Sequence, residues 1–140
     1  MSVKNGLSGW KLDAGQKGHR ILFKDYQKAI VDVLIDDPKL SWGSGDMWEA
    51  IKRRHIMISR ASVIFYLNFL VADGLAEWDD AMGKGGHHKL YRIEKTWDEV
   101  RKHIATKVIK GLAEVLDLDL SKTNIDWVLE SWLSIGPRLV

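Results

Sequence analysis

The sequence predicts a mainly α-helical chain carrying one small β-hairpin, an α+β fold on the scale of an ordinary domain. Three observations predict it. Apolar residues recur at spacings of three and four over several long stretches, the mark of helices with one buried face. The stretch LAEWDDAMGKGGHHKLYRI (residues 75–93) instead sets two short aliphatic and aromatic runs around Gly83, Gly85 and Gly86, the pattern of a hairpin with a long tip. A composition 46% hydrophobic and 29% charged suits a chain with one buried core.

Residues 1–20 carry Gly6, Gly9, Gly15 and Gly18 among Lys4, Lys11, Lys17 and Arg20, and read as an extended arm able to move. A first helix is expected from Ile21, striped by Leu22, Tyr26, Ala29, Ile30, Val33 and Leu34 and stopped by Asp36-Asp37-Pro38. Leu40 to Trp42 suffices for one brief strand. Asp46 with Glu49 three residues on marks a second helix start, with Met47, Ala50 and Ile51 as its apolar stripe up to about His55. Ser59 is placed to cap a third helix, whose Val63, Tyr66, Leu67, Leu70 and Val71 share one face and which Gly74 closes. The hairpin comes next, with Leu90, Tyr91 and Ile93 on its returning strand. Thr96 and Glu99 then stand in capping-box spacing at the head of the longest helix, along Val100, Ile104, Val108, Leu112, Val115 and Leu116. A last segment, Ile125 to Ile135, carries Val128, Leu129, Trp132 and Leu133 and ends at Gly136-Pro137.

Helix, short strand, two helices joined by a short turn, glycine-tipped hairpin and long helix is the order of a winged helix-turn-helix domain with a C-terminal helical extension. The divisions expected are an arm at 1–20, the winged domain at 21–93 and a helical dimerisation extension at 94–140. In such a motif the third helix enters the major groove of DNA and the second braces it. A net charge of +2 does not announce a nucleic-acid binder, but its distribution is uneven: Lys52, Arg53, Arg54 and Arg60 lie in a span from Lys52 to Ala72 with no acid. With Ser59 as cap, Arg60, Ala61 and Ser62 form the first turn that reaches base edges, Arg60 toward guanine or phosphate and Ser62 toward either acceptor. Lys52, Arg53 and Arg54 suit phosphates, which set register without reading sequence. The hairpin offers Lys84, His87, His88 and Lys89 to the backbone or the minor groove, with Asp79 and Asp80 required to point away. Ile64, Phe65 and Phe69 form a second apolar face on the third helix. Contact with thymine methyls and burial in the core are both open for it; burial is favoured for Phe69, and Phe65 is left open.

ISRASVIFYLNFLVADGL together with HHKLYRI resembles the penicillinase-repressor type of winged-helix regulator. Its third helix runs Ser-x-x-Ser/Thr-Val-x-x-x-Leu-Asn-x-Leu-Val-x-x-Gly, matched here by Ser59, Ser62, Val63, Leu67, Asn68, Leu70, Val71 and Gly74. The resemblance spans roughly residues 23–116 and is shared more loosely with MarR-like and archaeal regulators of this broad kind. Ile64 and Phe65 depart from it, since the family often carries hydroxyl or basic residues near those positions. The resemblance implies a homodimeric, sequence-specific DNA-binding transcription factor joined through the helices after the wing. The residues agree independently: Trp97, Val100, Ile104, Val108, Leu112, Trp127 and Trp132 present more apolar surface than a lone helix needs.

Other classes fare less well. No cysteine is present, which removes disulfides, thiol nucleophiles and cysteine-based zinc sites and accords with a reducing cytoplasm. Neither a signal-type apolar run near the start nor a membrane-length one appears, so a soluble cytoplasmic protein without a membrane partner is expected. Adjacent His87 and His88 point to opposite sides of a strand, and His19, His55 and His103 are dispersed, so neither metal nor cofactor is expected. No nucleophile elbow, phosphate loop or metalloprotease helix occurs, and Asp36-Asp37 and Asp79-Asp80 fit turn chemistry, so an enzyme is not expected. A DNA-binding regulator, most simply a repressor, leads; a winged helix that docks proteins in a larger assembly is the alternative. The tryptophan-rich extension leaves room for a small-molecule effector.

Overall fold

The structure is a computed structural model and describes residues 10–37, 41–83 and 86–119. Two compact units divide the chain, one spanning Leu12–Glu94 and the other taking in residues 10–11 and 95–119 among those described. The first is a winged helix: helices α1 (Asp25–Asp36), α2 (Ser44–Arg53) and α3 (Arg60–Asp73), then strands β1 (Glu77–Gly83) and β2 (Gly86–Arg92). In the second lies α4 (Trp97–Val115).

α1, α2 and α3 pack on one another, β2 packs on α1 and α2, and β1 on α3. Ile30, Val31, Met47, Ile51, Val63, Leu67, Leu70 and Leu75 are fully buried where these elements meet. Each such side chain contributes about 1.5–3 kcal/mol by leaving water. The strands pair antiparallel from Glu77 opposite Arg92 to Gly83 opposite Gly86. Trp42 exchanges both backbone hydrogen bonds with Tyr91 at 2.8 Å, so the expected strand before α2 is one bridge on the outer edge of β2; Leu40 lies outside the described residues.

α1 begins at Asp25, four residues later than the apolar spacing predicts. Gly18–Ile21 forms a 3-10 turn, and the amides of Leu22 and Phe23 return to the His19 carbonyl at 3.0 and 2.8 Å. Arg20 then grips the Asp25 carboxylate through Nε and Nη2 at 3.0 and 3.1 Å, with His19 Nε2 at 3.0 Å. The Arg20 hydrogen bond, and that of His19 after it, hold Asp25 below the ordinary carboxylate range. Gln27 accepts the Lys24 amide at 2.8 Å, closing the helix start. Ile21 and Leu22 thus continue the spacing from a turn, half-buried.

α2, by contrast, starts early, with Gly43 as its cap rather than Asp46. At its far end the Trp48 indole donates to the Ile58 carbonyl at 2.8 Å, bracing the turn into α3, where His55 takes a left-handed φ of 62°. Ser59 caps α3 as expected: its Oγ accepts the Ser62 amide at 3.1 Å. Gly74, with φ 89°, ends the helix, and the amides of Leu75 and Ala76 both return to the Leu70 carbonyl. On α4 the capping box forms as expected, with Glu99 N–H to Thr96 Oγ1 at 3.2 Å and Thr96 N–H to Glu99 Oε1 at 3.0 Å. Among the described residues no helix is long and apolar enough to cross a membrane.

α3 is apolar nearly all round, and the structure sorts its sides. Val63, Tyr66, Leu67 and Leu70 are buried, Ile64, Phe69 and Val71 half-buried, and Phe65 is 80% exposed. Leu67→Ala should therefore lower the unfolding free energy by about 2–5 kcal/mol, and Phe65→Ala move it by no more than about 0.5 kcal/mol, as urea denaturation would measure. Tyr66 has its ring edge-on to Tyr26 and against Phe69, and its buried hydroxyl has no hydrogen-bond partner among the described residues. Burial above all raises its pKa beyond the ordinary 10.0. The folded chain then keeps a proton that the unfolded chain releases above about pH 10, so this contribution is complete below that pH and is lost as pH climbs past it. Tyr66→Phe should flatten the alkaline fall in a pH series of melting curves, with neutral-pH stability unchanged or raised.

Candidate nucleic-acid interface

The start of α3 is open to solvent. Ser59, Arg60 and Ala61 are exposed and Ser62 half-exposed, while Lys52, Arg53 and Arg54, at the end of α2 and just past it, are exposed too. The first turn is less free than its sequence implies. The hydroxyls of Ser59 and Ser62 lie 2.9 Å apart in a mutual hydrogen bond. Arg60 lies back across the start of α2: a Cβ on Gly45 would sit 3.3 Å from its Nη2, so the absent side chain makes room for the guanidinium. Lys52 lies 4.4 Å above the Trp48 ring, which steadies its ammonium beside the turn.

An open cleft of about 560 Å³ runs between the first turn of α2, one side of α3 and the returning strand of the wing. Gly43 to Asp46 line it on one wall, Arg60, Ile64 and Asn68 on another, and His87 to Tyr91 with Ala81 on the third. Ile64 lines this cleft as an apolar residue and is half-buried. Cross-strand pairing puts Ala81, His88 and Leu90 on one face of the hairpin and Met82, His87, Asp80 and Lys89 on the other. His87, His88 and Lys89 are exposed, and Lys89 lies 4.8 Å above the Trp78 ring; Lys84 falls outside the described residues.

The two acids of the wing are handled separately. Arg92 gathers Glu77 at 3.0 Å, Glu94 at 2.9 Å and Asp79 around one guanidinium at the base of the hairpin. Asp80 stands opposite Lys89 in the ladder. Asp79 is thereby paired at the base, and the outer half of the hairpin carries His87, His88 and Lys89 with Asp80. Among the described residues no group of three or more His, Asp or Glu side chains is placed to hold a metal ion.

Two residues that site reasoning on the sequence passed over fix the geometry. Tyr91 is 2% exposed and donates its hydroxyl to Asn68 Oδ1 at 2.7 Å, tying the wing to α3. Burial raises the Tyr91 phenol above its ordinary range, so it stays a donor at neutral pH. The only sequence signal for this bond is the pairing of an Asn in the middle of α3 with a Tyr near the end of β2. In the second unit Val100 and Ile104 are buried, Trp97, Val108 and Leu112 half-buried, and Trp127 and Trp132 lie outside the described residues.

Because Tyr91 is buried and Asn68 is exposed, the two ends of their bond differ. Asn68→Ala leaves a buried hydroxyl unpaired and should cost about 1–3 kcal/mol, whereas Tyr91→Phe leaves an amide that water can serve and should cost about 1 kcal/mol or less. Thermal denaturation of the two variants, with amide exchange along β2, would register the difference.

No family model matches the chain, and no curated protein does. The chain is similar to the solved structure named "Possible transcriptional regulator from Methanosarcina mazei Go1", with a TM-score of 0.53 and 13% identity over 87% of this chain and 85% of that one. At that identity the likeness concerns the fold: three helices, a two-stranded wing and a further helix after it.

Proposed function

We propose that this chain is a sequence-specific, double-stranded DNA-binding transcriptional regulator, acting as a homodimeric repressor on a near-palindromic operator. The observation that carries the reading is the solvent-open, acid-free start of α3, with basic side chains before it and a wing beside it. A duplex offers a wide groove for a helix and phosphates on both sides for the flanking cations. Lys52, Arg53 and Arg54 take phosphates, Arg60 with Ser59, Ala61 and Ser62 meets the base edges, and Lys84, His87, His88 and Lys89 track the backbone next to the groove. Arg60 swings from Gly45 to do so, a movement of one flexible side chain. The neighbour from Methanosarcina mazei, named as a possible transcriptional regulator, favours the same class.

The dimer belongs to α4 and the residues C-terminal to it. Val100 and Ile104 are already buried within one chain, so the contact between copies rests on Trp97, Val108 and Leu112, half-buried, and on Trp127 and Trp132. Two-fold pairing there sets two α3 helices about one DNA turn, roughly 34 Å, apart. A small-molecule effector at this tryptophan-rich region would act by changing that spacing.

Selection of duplexes from a random pool tests the whole reading: a two-fold symmetric consensus supports it. Absence of duplex binding even at low salt, with a stable protein partner instead, would transfer the chain to the adaptor class. On the selected site Arg60→Ala should weaken binding by about 1–3 kcal/mol and weaken random DNA less. Equal loss on both duplexes in a salt-controlled gel shift would make Arg60 a phosphate contact alone.

A further inference from the structure

We infer that Phe65 is a specificity residue that reads the 5-methyl groups of thymine, an inference resting on the DNA-binding reading above. Ala61, Phe65, Asn68 and Ala72 succeed one another at steps of four, three and four along the outward line of α3, and all four are exposed. They cover about 16 Å of helix. The line holds no charge, and its only large member is Phe65, 80% exposed. Ring contacts elsewhere on α3 run between Tyr66 and its neighbours Tyr26 and Phe69. Phe65 lies outside the cleft that Ile64 floors. The fold makes little use of its ring.

Chemistry on either side restricts what the ring can meet. Arg60 precedes it by a little more than one turn, Lys52, Arg53 and Arg54 stand ahead of that, and no acid occurs from Lys52 to Ala72. The complementary surface is anionic beside the start of α3 and apolar opposite the ring. An acidic amphipathic peptide shares those charges, but peptide helices seat in grooves, and the small Ala61 and Ala72 leave Phe65 standing as a ridge. The major groove is a concave surface that accepts a convex helix, with phosphates along its walls and thymine methyls as the apolar groups on its floor. Duplex DNA with thymine at the centre of each half-site is therefore the occupant.

The experiment takes the duplexes recovered by selection and resynthesises them with deoxyuridine in place of each thymidine in turn, which removes one methyl and keeps the base pair. Wild type should lose about fourfold in affinity for each contacted methyl. Phe65→Ala, which introduces the best helix former and should fold as wild type does by circular dichroism, should bind the thymine and uracil duplexes with equal affinity. The inference is overturned if wild type keeps its consensus yet ignores every uracil, or if Phe65→Ala retains the loss at the same positions, since groove shape or another residue then reads them. In both cases the regulator reading survives. Wild type that retains no duplex at low salt defeats that reading and this inference together, and makes the ridge a protein contact.

Discussion

A helix that is apolar on most of its circumference buries only the sides its neighbours reach, and that limit on the fourteen residues of α3 organises the winged unit. Val63, Tyr66, Leu67 and Leu70 take the buried side because α1, α2 and β1 pack there. Once they are committed, the helix has no rotational freedom left: a turn of one residue position would bring Asn68 into the place of Leu67 and expel fully buried Val63 and Leu70. Phe65 is outward because the core has fixed the phase of the helix, and Ile64 and Phe69 sit at the flanks of that same division.

The electrostatics derive from this placement. The cations of α2 and of the turn after it are exposed because the buried stripe of that helix, Met47, Ala50 and Ile51, faces the other way. On the wing, Arg92 pairs with the Asp79 carboxylate at the base of the hairpin, together with Glu77 and Glu94. Such exposed pairs contribute little to stability, about 0–1 kcal/mol each. One guanidinium among three carboxylates leaves the base of the hairpin acidic, while the outer half carries His87, His88 and Lys89 with Asp80.

Features that depend on residues three or four apart are legible in the sequence. The Ser59 cap, the Thr96–Glu99 box and the glycine stop at Gly74 form as expected, because each hydrogen bond lies within one turn of chain. The start of α1 is not legible, since Ile21 and Leu22 keep helical spacing while belonging to a 3-10 turn; the deciding contacts, Arg20 and His19 on Asp25, are side-chain choices that periodicity does not carry. The α2 start is hidden because a glycine cap leaves no polar signature. In the candidate site the exposed bases can be named from charge alone. The Asn68–Tyr91 bond, 23 residues apart in sequence, and the resting place of Arg60 on Gly45 cannot, as both depend on how separate elements pack.

Tyr91 is held twice, through its backbone by Trp42 and through its hydroxyl by Asn68. One residue thus clamps the segment before α2, the hairpin and the middle of α3 together. A displacement of the outer strands is then carried to the orientation of α3 instead of being absorbed between the elements.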